Sequence, residues 1–237
     1  MRKIETCLSP ELIHLYDVEG KNVVIVDIFR ATSTIISALA NGVSCVVPFY
    51  SLEECRRMKN KGYVIAGERD GKTAEGFELG NSPLAFLNGR YRDKKIAMTT
   101  TNGTLAIEKS KEKANNIIIG SFLNLKATAD YLNSKEEDIF ILCAGWKGKF
   151  NLEDSLFAGA LGNLLKNRFS TDCDTTIALQ SLYECHKENL KKLLSLASHA
   201  KRLQNENIEA DIDFCLTLNK YSNIGLLNGD HIKSFQI

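Results

Sequence analysis

A chain of 237 residues with 44% hydrophobic and 25% charged residues has material for a full core and the composition of an ordinary folded protein. Lys and Arg number 30 against 29 Asp and Glu, a net charge of +1. That excludes a global field for holding a nucleic-acid backbone or an anionic membrane, so any anion recognition must be local.

The N-terminus, Met1 to Pro10, lacks the apolar core of a signal peptide. No later stretch approaches the ~20 apolar residues of a membrane span. The seven cysteines are odd in number and contain no CxxC pair. They argue against a disulfide framework or zinc knuckle and point to reduced thiols in a cytoplasm.

In chain order, apolar runs of strand length fall at 23–28, 43–48, 63–66, 95–99, 116–119 and 138–143, and the gaps between them read largely as helices. This alternation predicts an α/β fold. Helices are predicted over 32–41, closed by Asn41-Gly42, and over 51–61, opened by Ser51 with Glu54 as a capping box. Another is predicted over 83–88, opened by Ser82-Pro83. Beyond residue 150 the segments 152–168, 175–198 and 198–219 read as helical, with Leu190, Leu193, Leu194 and Ala197 spaced as one buried face. With three prolines and no linker composition, 1–237 reads as one compact unit, a bilobal arrangement being left open, and only the last few residues are expected to lack order.

Three junctions end an apolar strand in polar residues that open a helix, the place where unpaired N–H groups suit an anion. At the first, Asp27 follows four β-branched residues and Arg30, Thr32, Ser33 and Thr34 come next. A strand-end Asp commonly caps the next helix or pairs with a neighbour such as Arg30. The added guanidinium and hydroxyls favour a metal and phosphate site. The segment 67–83 carries four glycines and six charges and ends in Asn81-Ser82-Pro83. It reads as a functional loop, with Glu68, Arg69 and Asn81 facing inward.

Thr99-Thr100-Thr101-Asn102-Gly103-Thr104 offers more donors than capping requires and lacks the lysine of a P-loop, so it reads as an oxyanion or phosphate nest. After the strand 138–143, Cys143 precedes a Gly-rich turn with Lys149 where a cysteine phosphatase needs arginine, so a buried structural thiol is expected. Glu153 and Asp154 open the next helix. Either alone would suit the helix dipole, but facing Asp27 they would complete an oxygen-ligand site for Mg²⁺. His14, His186, His199 and His231 lack metal-ligand spacing, and His199, ahead of Asp211 and Asp213, is kept as a site-edge candidate.

Taken together, VDIFRATSTIISALANG at 26–42, GERDG and GFELGNSP within 67–83, TTTNGT at 99–104, CAGWKGKFNLEDSLFAGAL at 143–161 and DIDFC at 211–215 resemble the 2-phosphosulfolactate phosphatase family over nearly the whole chain. The resemblance implies a three-layer α/β/α fold with mixed sheets and two related subdomains. It also implies Mg²⁺-dependent hydrolysis of 2-phospho-3-sulfolactate to 3-sulfolactate, a step associated with coenzyme M biosynthesis. Glu78 stands where the family usually has Asp, which makes it a weak ligand candidate.

By position the catalytic candidates are Asp27, Arg30, Glu68 and Arg69, and the substrate-binding candidates are Thr32, Asn81, Ser82, Thr100, Thr101, Asn102 and Gly103. Asp27, Glu153 and Asp154 are the metal candidates, with a water oriented by Mg²⁺ attacking phosphorus and Asp27 as covalent nucleophile left open. The expected partner is a small anionic phosphoester, with no nucleic acid and no membrane. A homodimer is left open. The competing readings are a phosphatase for another short phosphorylated hydroxy acid and a non-catalytic anion-binding protein.

Overall fold

The structure is a computed structural model that describes residues 1–69, 72–199, 201 and 209–236. Its strands are β1 (Arg2–Cys7), β2 (Asn22–Val26), β3 (Cys45–Pro48), β4 (Val64–Arg69), β5 (Lys72–Thr73), β6 (Lys95–Thr99), β7 (Asn116–Gly120), β8 (Ile139–Cys143), β9 (Phe169–Ser170), β10 (Asn223–Asn228) and β11 (His231–Gln236). The helices are α1 (Ala31–Ala40), α2 (Leu52–Arg57), α3 (Gly103–Ser110), α4 (Leu125–Asn133), α5 (Leu152–Leu165), α6 (Asp174–His186), α7 (Leu190–Leu194) and α8 (Glu209–Cys215).

All six predicted strands form, and the architecture is mixed α/β with helices on both faces of one sheet. Alternation along β2 shows why. Val24 and Val26 enter a core with Leu156, Phe157 and Leu161 of α5, while Val23 and Ile25 enter a second core with Ile35 and Ile36 of α1. A strand covered on both faces must be apolar throughout, which accounts for the unbroken run that ends at Asp27.

Among the described residues the strand order is β5-β4-β6-β3-β11-β10-β7-β2-β8-β1-β9. β4, β6 and β3 are mutually parallel, as are β7, β2, β8, β1 and β9. Between these blocks lies the antiparallel hairpin β10–β11, which pairs antiparallel with β7 on one side and β3 on the other. Three antiparallel steps make the two blocks run in opposite senses. Five strand steps separate β6 from β2. At about 20–25° of twist per step they turn the strand axis by roughly 100–125°, which swings the carboxyl end of β6 toward that of β2.

Several expectations change. The last residues up to Gln236 form β11 at the centre of the sheet, with Ile232 fully buried and paired to Val46, instead of lacking order. The segment 83–88 yields only a 3-10 turn over Pro83–Phe86, and 51–61 divides into α2 and a 3-10 turn over Met58–Lys61. Ser51 caps α2 by accepting from Glu54 N–H at 3.3 Å. The predicted helix 175–198 breaks at Lys187–Asn189, although Leu190, Leu194 and Ala197 are buried and Leu193 packs against them. Of 198–219, residues 200 and 202–208 lie outside the described residues, and α8 occupies 209–215. Close packing of α5 on α6 requires glycine at 159, where a Cβ would meet the Leu179 carbonyl oxygen at 2.0 Å.

Candidate active site

β2 delivers Asp27 into a buried position just past its last residue. The turn that follows is closed by Thr32, whose N–H and Oγ1 both donate to the Asp27 carbonyl at 2.9 Å, while Asp27 N–H donates back to Thr32 Oγ1 at 3.1 Å. The hydroxyl of Thr32, a substrate-binding candidate by sequence, is engaged in this turn. Ser33 and Thr34 likewise donate to the carbonyls of Ile28 and Asn81, at 2.9 and 3.0 Å. The hydroxyls at the start of α1 therefore hold backbone together.

Glu153 and Asp154 reach Asp27 from the first turn of α5, both fully or almost fully buried. Asp154 Oδ1 accepts from Ile28 N–H at 2.8 Å and its Oδ2 from Gly145 N–H at 3.2 Å, so this carboxylate ties the ends of β2 and β8 together. Each of its oxygens already has a backbone donor, so this carboxylate, a metal candidate by sequence, is placed to position the two strand ends. Glu153 differs. His199 Nδ1 donates to its Oε1, while its Oε2 is buried with no hydrogen-bond partner among the described residues. The ring of His199 also stands edge-on to Phe29, 6.1 Å between centroids.

Burial and neighbouring negative charge raise a carboxyl's proton affinity, and Asp27 and Asp154 show it. Burial drives the Asp27 carboxyl up to about 6, Glu68 and Glu153 add to the rise, and His199 and the Ala31 N–H oppose it. Asp154 is pushed well above the usual carboxylate range, first by burial and then by the charges of Glu153 and Asp27. Such a cluster is relieved by a proton or by a cation. Among the described residues no group of three or more His, Cys, Asp or Glu side chains is arranged to hold a metal ion unaided. Mg²⁺ needs no such cage, because it takes one or two carboxylates and keeps waters. Asp27 and the orphaned Oε2 of Glu153 fit that requirement.

From the other block, β4 carries Glu68 and Arg69 at its end, so these residues lie on a strand and not in a loop. Arg69 donates to the Glu68 carbonyl at 2.7 Å and to Thr99 Oγ1 at 3.1 Å, which lays its guanidinium along the ends of β4 and β6. Thr100 Oγ1 accepts from Thr104 N–H at 3.3 Å and so caps α3, while Asn102 Oδ1 accepts from Lys147 N–H at 3.2 Å and joins this turn to the one after β8. Thr101 is half-buried, and the N–H groups of the first turn of α3, starting at Gly103, have no intrahelical acceptor.

Gly103 is where the two blocks touch. A Cβ there would meet Asp27 Oδ2 at 2.8 Å and the Ala31 methyl at 2.9 Å. Gly103→Ala is expected to displace the Asp27 carboxylate, lowering kcat/KM about a hundredfold at a stability cost of about 1–3 kcal/mol. Steady-state kinetics beside urea unfolding checks both.

Arg30 is buried and pairs with Asp211 of α8, whose other oxygen accepts from Ser82 Oγ at 2.6 Å. Ser82 therefore faces Asp211 and not the helix end it was expected to cap. Asn81 is buried, with its Oδ1 lacking a hydrogen-bond partner among the described residues. Cys143 is fully buried and its thiol is pushed well up by burial, in keeping with a structural role. Glu78 is exposed, as is Asp213, which pairs with Lys191 at 2.6 Å. Sequence reasoning put Asp213 and Asp211 on one footing. The readable signal was the i, i+4 spacing of Asp211 and Cys215, which marks the buried face of α8.

A family model described as 2-phosphosulpholactate phosphatase matches residues 7–230. A protein of Thermotoga maritima named probable 2-phosphosulfolactate phosphatase is 43% identical over 213 residues, covering 90% of this chain and 92% of the relative. One of Caldanaerobacter subterraneus with the same name is 37% identical, covering 93% of each chain. Another so named, from Prochlorococcus marinus, is 38% identical over 207 residues, covering 83% of this chain and 85% of the relative.

Proposed function

The chain belongs to the 2-phosphosulfolactate phosphatase family, and on that premise we propose that it is a Mg²⁺-dependent phosphatase that hydrolyses 2-phospho-3-sulfolactate to 3-sulfolactate and phosphate. The observation that carries this reading is the buried Asp27–Glu153 pair, one oxygen of which lacks any partner among the described residues.

Asp27 and Glu153 would hold Mg²⁺, which supplies charge neutralisation and Lewis acidity at the phosphoryl oxygens. Asp154 fixes the ends of β2 and β8 so that the two acids stay in register. His199 restrains Glu153 through Oε1 and thereby fixes where Oε2 points. The substrate carries a phosphate, a carboxylate and a sulfonate on three carbons, and a chain of net charge +1 must concentrate its donors to hold them. Arg30 arrives from the block of β2 and Arg69 from that of β4, so the anionic groups are gripped from two sides. The first-turn N–H groups of α3 and the Thr101 hydroxyl add donors where negative charge accumulates. With its seven free cysteines, the chain suits a reducing cytoplasm. Among the described residues no helix is long and apolar enough to cross a membrane.

Phosphate release from 2-phospho-3-sulfolactate, 2-phospholactate and phosphoglycolate, each with Mg²⁺ and with EDTA, tests the reading. The sulfonated ester is expected to turn over fastest, and only with the metal. A chain that binds these esters and hydrolyses none of them would be an anion-binding protein, and the reading would fall.

A further inference from the structure

Asp211 has a place in the site that neither its motif nor the reaction explains. Its carboxylate is buried, one oxygen on Arg30 and the other on Ser82. A simple clip between these segments is not needed. Thr34 and Ser37 of α1 already hold the 81–83 turn, donating to the carbonyls of Asn81 and Pro83 at 3.0 and 2.8 Å. Burying a carboxylate costs more than burying an amide of the same shape, so its charge is the property that needs a reason. That charge falls on Arg30, three residues past Asp27. The buried Cys215 thiol, raised to about 12 chiefly by burial, feels Asp211, Arg30 and Asp27 together, which places the ion pair beside the reacting centre.

Resting on the anion site described above, we propose that Asp211 is a positioning residue that shares Arg30 with the bound anion. Before substrate enters, the carboxylate holds the guanidinium at the mouth of α1. Once phosphate is bound, Asp211 and the anion compete for one cation, which keeps the grip on product loose enough for release. A purely structural Asp211 makes the opposite prediction, because losing it would disorder Arg30 and weaken every anion.

Inorganic phosphate in Mg²⁺ buffer is the probe, with its dissociation constant measured by calorimetry and its inhibition constant against turnover. Asp211→Asn is expected to bind phosphate about tenfold more tightly or better, with KM and kcat both lowered, while Asp211→Glu stays close to the parent. Should Asp211→Asn unfold when alone, phosphate must restore it, since a ligand that binds only the folded state stabilises it by mass action. Weaker phosphate binding by Asp211→Asn, or failure to fold in saturating phosphate, overturns the proposal. Failure of the parent chain to bind phosphate at all would instead sink the anion-site reading on which the proposal rests.

Discussion

Asp27→Asn is expected to abolish turnover and to make the metal-free protein more stable above pH 6. The substitution keeps the shape and leaves an oxygen for the Ala31 N–H, which donates to Asp27 Oδ1 at 3.4 Å. It removes one of two carboxylates proposed to hold the metal. Metal stabilisation of a transition state amounts to several kcal/mol, so kcat should fall by on the order of 10³ or more. The stability change follows from the raised carboxyl. Folded Asp27 keeps its proton up to about pH 6, whereas an unfolded Asp loses it near pH ~4.

Between those values the folded state binds the extra proton, so the parent loses stability as pH rises through the window and stays at the lower level above it. A shift of this size corresponds to roughly 2–3 kcal/mol. The variant escapes that loss. Urea unfolding in EDTA at pH 4 and pH 8 should show the two proteins converging at the lower pH and Asp27→Asn ahead at the higher. Equal stability at both would mean that Asp27 is not strained by burial and its acidic neighbours.

Glu153→Gln is the second change of large effect. The side chain is fully buried, and the amide would bring an N–H group to the position from which Oε2 would meet a cation. Mg²⁺ affinity is expected to fall at least ~100-fold and kcat with it, while an amide oxygen remains to accept from His199. The Asp27 carboxyl, raised chiefly by burial and further by the Glu68 and Glu153 charges, should then titrate below its parent value in metal-free protein. Calorimetric Mg²⁺ titration and carboxyl-carbon NMR read the two effects separately. Undiminished Mg²⁺ binding would remove Glu153 from the metal site.

The parts of the fold that could be read from sequence are those with a local physical cause. Runs such as Val23–Val26 and Ile139–Cys143 are apolar on both faces because helices cover both, and length alone identifies them as strands. The hairpin β10–β11 was missed because its exposed half, with Lys233, Ser234 and Gln236, reads as a polar terminus, while its burial depends on neighbours far away in the chain. The 2-residue strands β5 and β9 are too short to leave a pattern.

In the site, strand-end acids and donor-rich turns were legible as candidates because their residue types are unusual for such positions. Their partners were not. Nothing local tells that Thr32 closes its own turn, that Asp154 receives two backbone N–H groups, or that Arg30 pairs with Asp211 from near the other end of the chain. The reversed sense of the two parallel blocks is likewise a consequence of long-range pairing, and together with the twist of the intervening strands it brings Gly103 against Asp27.

Asp27 and Glu153 are proposed to share one divalent cation, and everything said of the reaction depends on it. Crystals soaked in Mn²⁺ as a stand-in for Mg²⁺ and measured at an anomalous wavelength test it directly. A single peak is expected within roughly 2–2.3 Å of one oxygen from each side chain, with Asp154 outside that distance. A peak on other residues, or none between Asp27 and Glu153 in crystals of protein that is active with Mn²⁺, would contradict it.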